Sequence, residues 1–296
     1  MPMNALEPFK ATAWDLPFAA EDQGRAIEAL EQGRVLYFEH LAFPFDKGEL
    51  RLVSSAWSDQ KAKNISFDPG AGEVKGAKTE GGDERELMAM MGRYAALTRA
   101  LLQGLLPRYA PALKQARTSF RPHEIEGRQP PSYRKDDRLL HADAFPSRPM
   151  RGARILRAFS NVNPSGKPRV WQVGEPFEAL ARRFLPDVRR AMPGVARIEA
   201  LFGVTKGQRT EYDHVMLQLH DRAKRDARYQ REARRQEIAF PAGSTWVVFT
   251  DLVPHAAIKG QFALEQTFEL PVAAQLRPEL SPLRILERLA GRSLAA

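Results

Sequence analysis

The chain is 296 residues long, 43% apolar and 27% charged, an ordinary globular composition that sets aside disordered and fibrous classes. It has no cysteine, which excludes disulfides, thiolate zinc sites and cysteine nucleophiles, and no apolar run near the ~18 residues that span a bilayer. Its formal charge of +9, dominated by arginine, favours anionic partners, although acidic residues are mixed throughout.

The opening stretch MPMNALEPFKATAWDLPF has no basic segment followed by an apolar one, so no secretory signal is expected. Together with the missing cysteines this fits a reducing cytoplasm. Residues 22–33 predict a short amphipathic helix ended by Gly33, followed by a strand, Arg34–Phe38. Asp68–Asp83 is rich in Gly, Lys and Glu with almost no large apolar residue, and reads as a mobile loop or lid. Glu84–Leu106 places Leu87, Met90, Met91, Tyr94, Leu97, Leu101 and Leu102 at helical spacing, which predicts a scaffold helix.

From about Thr118 the texture changes to short strand-like runs separated by Gly, Pro and Asn. They are Leu139–Phe145, Ala153–Asn161, Arg169–Val173, Arg197–Thr205, Gln236–Phe240, Thr245–Asp251 and Gln266–Pro271. Runs of this length and spacing suggest a sandwich or jelly roll. Helical insertions near 176–191 and 211–235 interrupt them, and Pro278–Leu294 forms a separate tail helix. No internal repeat is present. The expectation is one α+β domain over 1–296: a mostly helical part to 117, a β core over 118–275, and the tail helix at 278–296.

Two segments carry candidate chemistry. In LLHADAF, His141 and Asp143 are two apart in a strand-like run, so an imidazole and a carboxylate share one face. In PAGSTWVVFTDLVPH, a Gly-Ser turn leads into an apolar strand, and the loop after it delivers His255 beside a stiffening proline. Two histidines and one carboxylate occupy one face of an octahedral ion and leave three positions open, as in non-haem Fe(II) oxygenases. From these residues alone catalytic zinc remains an equal reading.

The stretches LLHADAFPSRP, ILRAFSNVNPSGKPRVWQVGEPF and PAGSTWVVFTDLVPHAAIKGQFALEQTF resemble the bacterial 3-deoxy-D-manno-octulosonic acid (Kdo) hydroxylases of lipopolysaccharide biosynthesis, as does GRVLYFEHLAF. The likeness is strongest between 132 and 270. It implies a double-stranded β-helix, that is, a jelly roll with flanking helices. It implies Fe(II), 2-oxoglutarate and O2 as cofactors, with His141, Asp143 and His255 as iron ligands. The implied reaction hydroxylates carbon 3 of the Kdo sugar on lipid A or inner core, giving D-glycero-D-talo-octulosonic acid. An oxygenase acting on another polyanionic substrate, or a non-catalytic basic β-sandwich binding module, are the alternatives. Nucleic acid is not an expected partner, because the basic residues are not interleaved with exposed aromatics.

One element departs from the common dioxygenase pattern. The Arg or Lys that clamps the distal carboxylate of 2-oxoglutarate usually follows the last histidine by about ten residues; here that place holds Gln266, and Lys259 is too close. A dianion wants a bidentate cation, and the candidates are Arg154, Arg157 and Arg169. Arg154 and Arg157 are three apart, so on a regular strand only one faces inward. Arg169 shares a face with Trp171 and is preferred; Gln266 and Thr267 are candidate hydrogen-bonding partners.

Asn161 and Asn163 read as turn residues before Pro164. His40, His123, His214 and His220 read as structural, lacking ligand spacing. Seven Lys or Arg between 222 and 235 form a solvated face or a seat for lipid A phosphates. The tail places Leu283, Leu286 and Leu289 on one side and Arg284, Arg288 and Arg292 elsewhere, a pattern that packs on its own domain or lies in an anionic membrane interface. With a lipid-linked substrate, the expectation is peripheral association with the cytoplasmic face of the inner membrane.

Overall fold

Short runs of β-branched and aromatic residues build two sheets that face each other. The computed structural model describes residues 4–78, 82–189, 201–203 and 205–295. The larger sheet has the order β1-β2-β9-β6-β11-β5-β3-β4, and the smaller β10-β7-β8. Their ranges are β1 Leu6–Pro8, β2 Val35–Phe38, β3 Ile65–Asp68, β4 Glu73–Lys75, β5 Lys114–Arg121, β6 Arg154–Asn161, β7 Arg169–Gly174, β8 Arg235–Phe240, β9 Thr245–Phe249, β10 His255–Lys259 and β11 Ala263–Leu270. Between the sheets lies an aromatic core in which Trp246 stacks on Phe240 and Phe159, with Trp171 edge-on to both. Such alternation, with one face of each strand inward, is the jelly-roll pattern.

The other face of the large sheet is covered by helices α1 (Ala20–Glu31) and α2 (Gly82–Leu105). Strand β6 is buried along its whole length because it is covered on both sides: Leu156 and Ala158 face the helices, Phe159 the aromatic core. This parity decides which polar residues of β6 and its neighbours reach the barrel interior. Helices α3 (Phe177–Phe184), α4 (Glu211–Arg225), α5 (Ala227–Glu232) and α6 (Pro282–Ala290) close the remaining side.

Several expectations change. Asp68–Asp83 does not stay an open loop over its described part: β3 and β4 pair through it, Ser66 opposite Lys75 and Asp68 opposite Glu73, and its polar composition suits β4, the exposed edge strand of the sheet. Leu139–Phe145 is not a strand; it makes one isolated bridge, His141 with His255. Strand β5 lay unrecognised beside the helical segment. The helical stretch 211–235 breaks at Asp226, whose side chain accepts from the Tyr229 amide to cap α5. The expected strand Arg197–Thr205 falls mostly outside the described residues. On α6, Leu283, Ile285 and Leu286 are buried against the domain, so the apolar stripe of the tail is already used.

Candidate metal centre

His141 and His255 meet because two chain segments cross and bond to each other. The His141 amide donates to the His255 carbonyl at 3.1 Å, and the His255 amide donates back at 2.8 Å. The Asp143 amide donates to the carbonyl of Thr250, just past the end of β9, at 2.8 Å. Three backbone bonds therefore set the positions of all three ligands. The crossing is tight: a Cβ on Gly174 would come within 2.9 Å of the Leu140 side chain and 3.2 Å of Pro254. Glycine is required there by approach.

Each imidazole is oriented by the residue two before it. His141 Nδ1 lies 2.7 Å from the Leu139 carbonyl and His255 Nδ1 2.8 Å from that of Val253. A carbonyl can only accept, so each Nδ1 carries the proton and each Nε2 is left as a lone-pair donor. One donor atom from each of His141, Asp143 and His255 lies within 4.8 Å of the others. Asp143 Oδ2 is buried without a hydrogen-bond partner, although Arg157 approaches it to 3.2 Å. Two neutral imidazoles and an under-satisfied carboxylate fit one divalent cation.

The electrostatics agree. Burial lowers the His141 pKa to about 3 and lowers that of His255, so both stay neutral ligands. Burial pushes the Asp143 carboxyl up, but the Arg157 guanidinium beside it outweighs this and holds it well below the usual range. Trp171 stacks on His255 with ring centres 5.0 Å apart. His220, read as structural, sits edge-on to His141 at 5.1 Å and is held by Asp221.

The clamp candidates separate by the parity of β6. Arg157 faces inward, 3.2 Å from Asp143 and 3.4 Å from Glu265, its Nε without a partner. Arg154 is corrected: it faces the helical side, pairs with Asp251 at 2.7 Å and lies over Phe249. Gln266 is corrected likewise. It pairs with Ala158 on β6 and points the same way, its side chain bonded to Thr118 and the Ala116 carbonyl. The inward residue ten after His255 is Glu265, an acid where the common pattern has a cation. Arg121 from β5 donates to it at 2.8 Å, and Arg121 also approaches Asp137.

Arg169 is buried inside the barrel with Trp171 as expected. Among the described residues it donates only to the Gly260 carbonyl, at 3.3 Å, and its Nε has no partner. Burial, reinforced by Arg121, lowers its pKa to about 9. A desolvated guanidinium with spare donors fits an incoming carboxylate. Arg121, Glu265 and Asp137 were missed in the sequence; Lys63 and Arg121 hold Asp137 ionised against its burial. Asn163 is a turn residue, accepting from the Ser165 amide, whereas Asn161 is the last residue of β6, opposite Ala263, and its side chain donates to the Lys167 carbonyl. Lys259 pairs outward with Glu126.

Residues 13–293 match the family model of 3-deoxy-D-manno-oct-2-ulosonic acid (Kdo) hydroxylase. Among solved structures, the chain is similar to the Kdo hydroxylase KdoO, a non-haem Fe(II) α-ketoglutarate-dependent dioxygenase. The cobalt(II) complex of that protein is 49% identical, covers 99% of this chain and 98% of its own, and superposes with a TM-score of 0.96. Its complex with α-ketoglutarate and Fe(III) gives 49%, 98%, 97% and 0.94, and that with succinate and Fe(III) 48%, 99%, 98% and 0.95. No match is found among curated protein sequences.

Proposed function

The chain belongs to the Kdo hydroxylase family, and from that premise we propose that it is an Fe(II)- and 2-oxoglutarate-dependent dioxygenase that hydroxylates a Kdo sugar. The carbon oxidised is carbon 3, and the acceptor is Kdo on lipid A or inner core. The observation that carries the reading is the pair of histidines whose Nδ1 protons are tied to carbonyls, leaving both Nε2 atoms beside Asp143. A non-catalytic binding module has no need of that arrangement.

His141, Asp143 and His255 hold the iron. Arg169, desolvated and short of acceptors, takes the distal carboxylate of 2-oxoglutarate, with Arg121 beside it. When bound, iron and 2-oxoglutarate supply the oxidising chemistry: one oxygen atom of O2 ends in succinate, the other in the new hydroxyl, and CO2 leaves. The chain's own part is to position and to exclude water. Arg157 bridges Asp143 and Glu265, fixing the carboxylate's orientation. Trp171 packs on His255, and Phe159, Trp246 and Phe240 keep the barrel behind it dry.

The protein works at the cytoplasmic face of the inner membrane as a peripheral enzyme. No helix among the described residues is long and apolar enough to cross a membrane. The tail helix buries its apolar stripe, so contact is better supported at Leu201 and Phe202, 81% and 76% exposed and close in sequence to Lys206.

The test is mass spectrometry of lipopolysaccharide from cells expressing the gene against cells that do not. One added oxygen on Kdo, placed at carbon 3 by fragmentation, is expected. An unchanged mass overturns the sugar assignment.

A further inference from the structure

Beyond Asp143, on the side away from the aromatic core, the inner face of the large sheet opens into a cavity of about 280 Å3. That is near the lower end of ligand pockets and suits a single sugar ring rather than a lipid chain. Its floor includes Ser66, Ser119 and Thr267; its wall is the segment following Asp143, from Phe145 to Arg148, with Lys206. Five cations line it, and three are spoken for. Arg121 and Arg157 hold Glu265, and Arg148 pairs with Glu269.

The other two are matched less fully. Among the described residues Arg117 pairs with Asp68 alone, at 3.6 Å, and Lys206 has no ion pair. Burial pushes the Asp68 carboxyl up, but the Ala71 and Gly70 amides, then Arg117 and Lys206, hold it below the usual range, so both cations lie within reach of this one carboxylate. Lys206 is also held in place relative to the metal ligand. Its amide donates to the Ser147 carbonyl at 2.8 Å, and Arg209 donates to the carbonyl of Pro146, so the Lys206 segment is stitched to the residues that follow Asp143.

We infer that Arg117 and Lys206 form the seat for the carboxylate of the acidic sugar, setting which carbon of its ring faces the metal centre. This rests on the proposed hydroxylase function and adds to it the residues that select an acid. Deeper in the cavity Arg121 and Arg157 are already taken by Glu265, whereas at the exposed edge Arg117 and Lys206 share the one carboxylate of Asp68. Ser66 and Ser119 on the floor offer hydroxyls to the sugar's own.

The experiment compares wild type, Arg117→Ala, Lys206→Ala and the double variant on detergent-dispersed Kdo-bearing lipid A and on the carboxyl methyl ester of that acceptor. Both side chains sit at the rim, so neither substitution opens the core. KM for the acid should rise about fivefold in each single variant and about twentyfold in the double, the scale of exposed charge pairs. The 2-oxoglutarate KM should hold. Wild type should prefer the acid to the ester, and the double variant should lose that preference. Variants that keep the wild-type KM and acid preference overturn this seat while leaving the hydroxylase standing. A wild type that leaves Kdo unchanged overturns both.

Discussion

Replacing Arg169 by Met should stabilise the protein without cosubstrate and cripple its binding of 2-oxoglutarate. Arg169 is 2% exposed, has a single acceptor among the described residues, at 3.3 Å, and is pushed down to about 9 by burial and by Arg121. The fall from 12.5 to about 9 corresponds to roughly 5 kcal/mol against the charged form, at 1.36 kcal/mol per tenfold. Relaxation and water reduce that figure; apolar replacement of buried charges typically gains about 1–4 kcal/mol. For a depressed base the penalty is complete below the folded value and relieved as pH rises from about 9 towards 12.5, so at neutral pH the variant gains the full amount. At about 2 °C per kcal/mol for a chain this size, the metal-free form should melt about 2–8 °C higher. Loss of a buried partner for the cosubstrate carboxylate costs about 2–5 kcal/mol, weakening 2-oxoglutarate roughly 30- to 5000-fold. Thermal melts with and without Mn(II) and 2-oxoglutarate, plus calorimetric titration, read both effects. A variant that melts lower and binds 2-oxoglutarate as wild type does refutes the assignment.

Two further outcomes follow from the same geometry. His141, lowered to about 3, and His255, also lowered, are neutral in the fold but protonate below about 6.5 when unfolded, so their contribution is present above that pH and lost towards acid. Going from pH 7.5 to 5.5 should cost the metal-free protein about 1.4 kcal/mol from His141 in urea unfolding, with His255 adding to it in the same direction; flat stability over that interval contradicts their burial as neutral groups. Gly174→Ala forces a Cβ against Leu140 and Pro254, the residues preceding the two histidines. It should lower Fe(II) affinity about 10- to 100-fold, as displacements of groups that orient ligands do, and an unchanged dissociation constant would count against the crossing as the element that sets the site.

The triad was legible because His141 and Asp143 are two apart in a strand-like run, because a Gly-Ser turn, an apolar strand and a proline lead to His255, and because the quoted stretches resemble one family; the run around His141 nevertheless forms only an isolated bridge. The β6 parity was legible too: a three-residue spacing forces Arg154 and Arg157 apart, and Arg157 is the inward one. What stayed hidden depends on long-range register. Counting ten residues past His255 lands near Gln266, but only the pairing of Thr267 with Arg157 turns Glu265 inward instead. Arg121 lies on a strand whose neighbours in sequence are helical, and its role appears only when β5 docks beside β11. Strand β10 went unread because His255 is followed by two alanines, which carry little strand propensity. The amphipathic tail looked equally suited to lipid or to protein, since a stripe of leucines records burial and not its partner.

The most direct test is anaerobic. Fe(II) and 2-oxoglutarate added together to the protein should give a visible charge-transfer band, absent with either alone and absent in Asp143→Ala. No band in the wild type, with thermal stability unmoved by Fe(II), would mean that His141, Asp143 and His255 do not bind the metal.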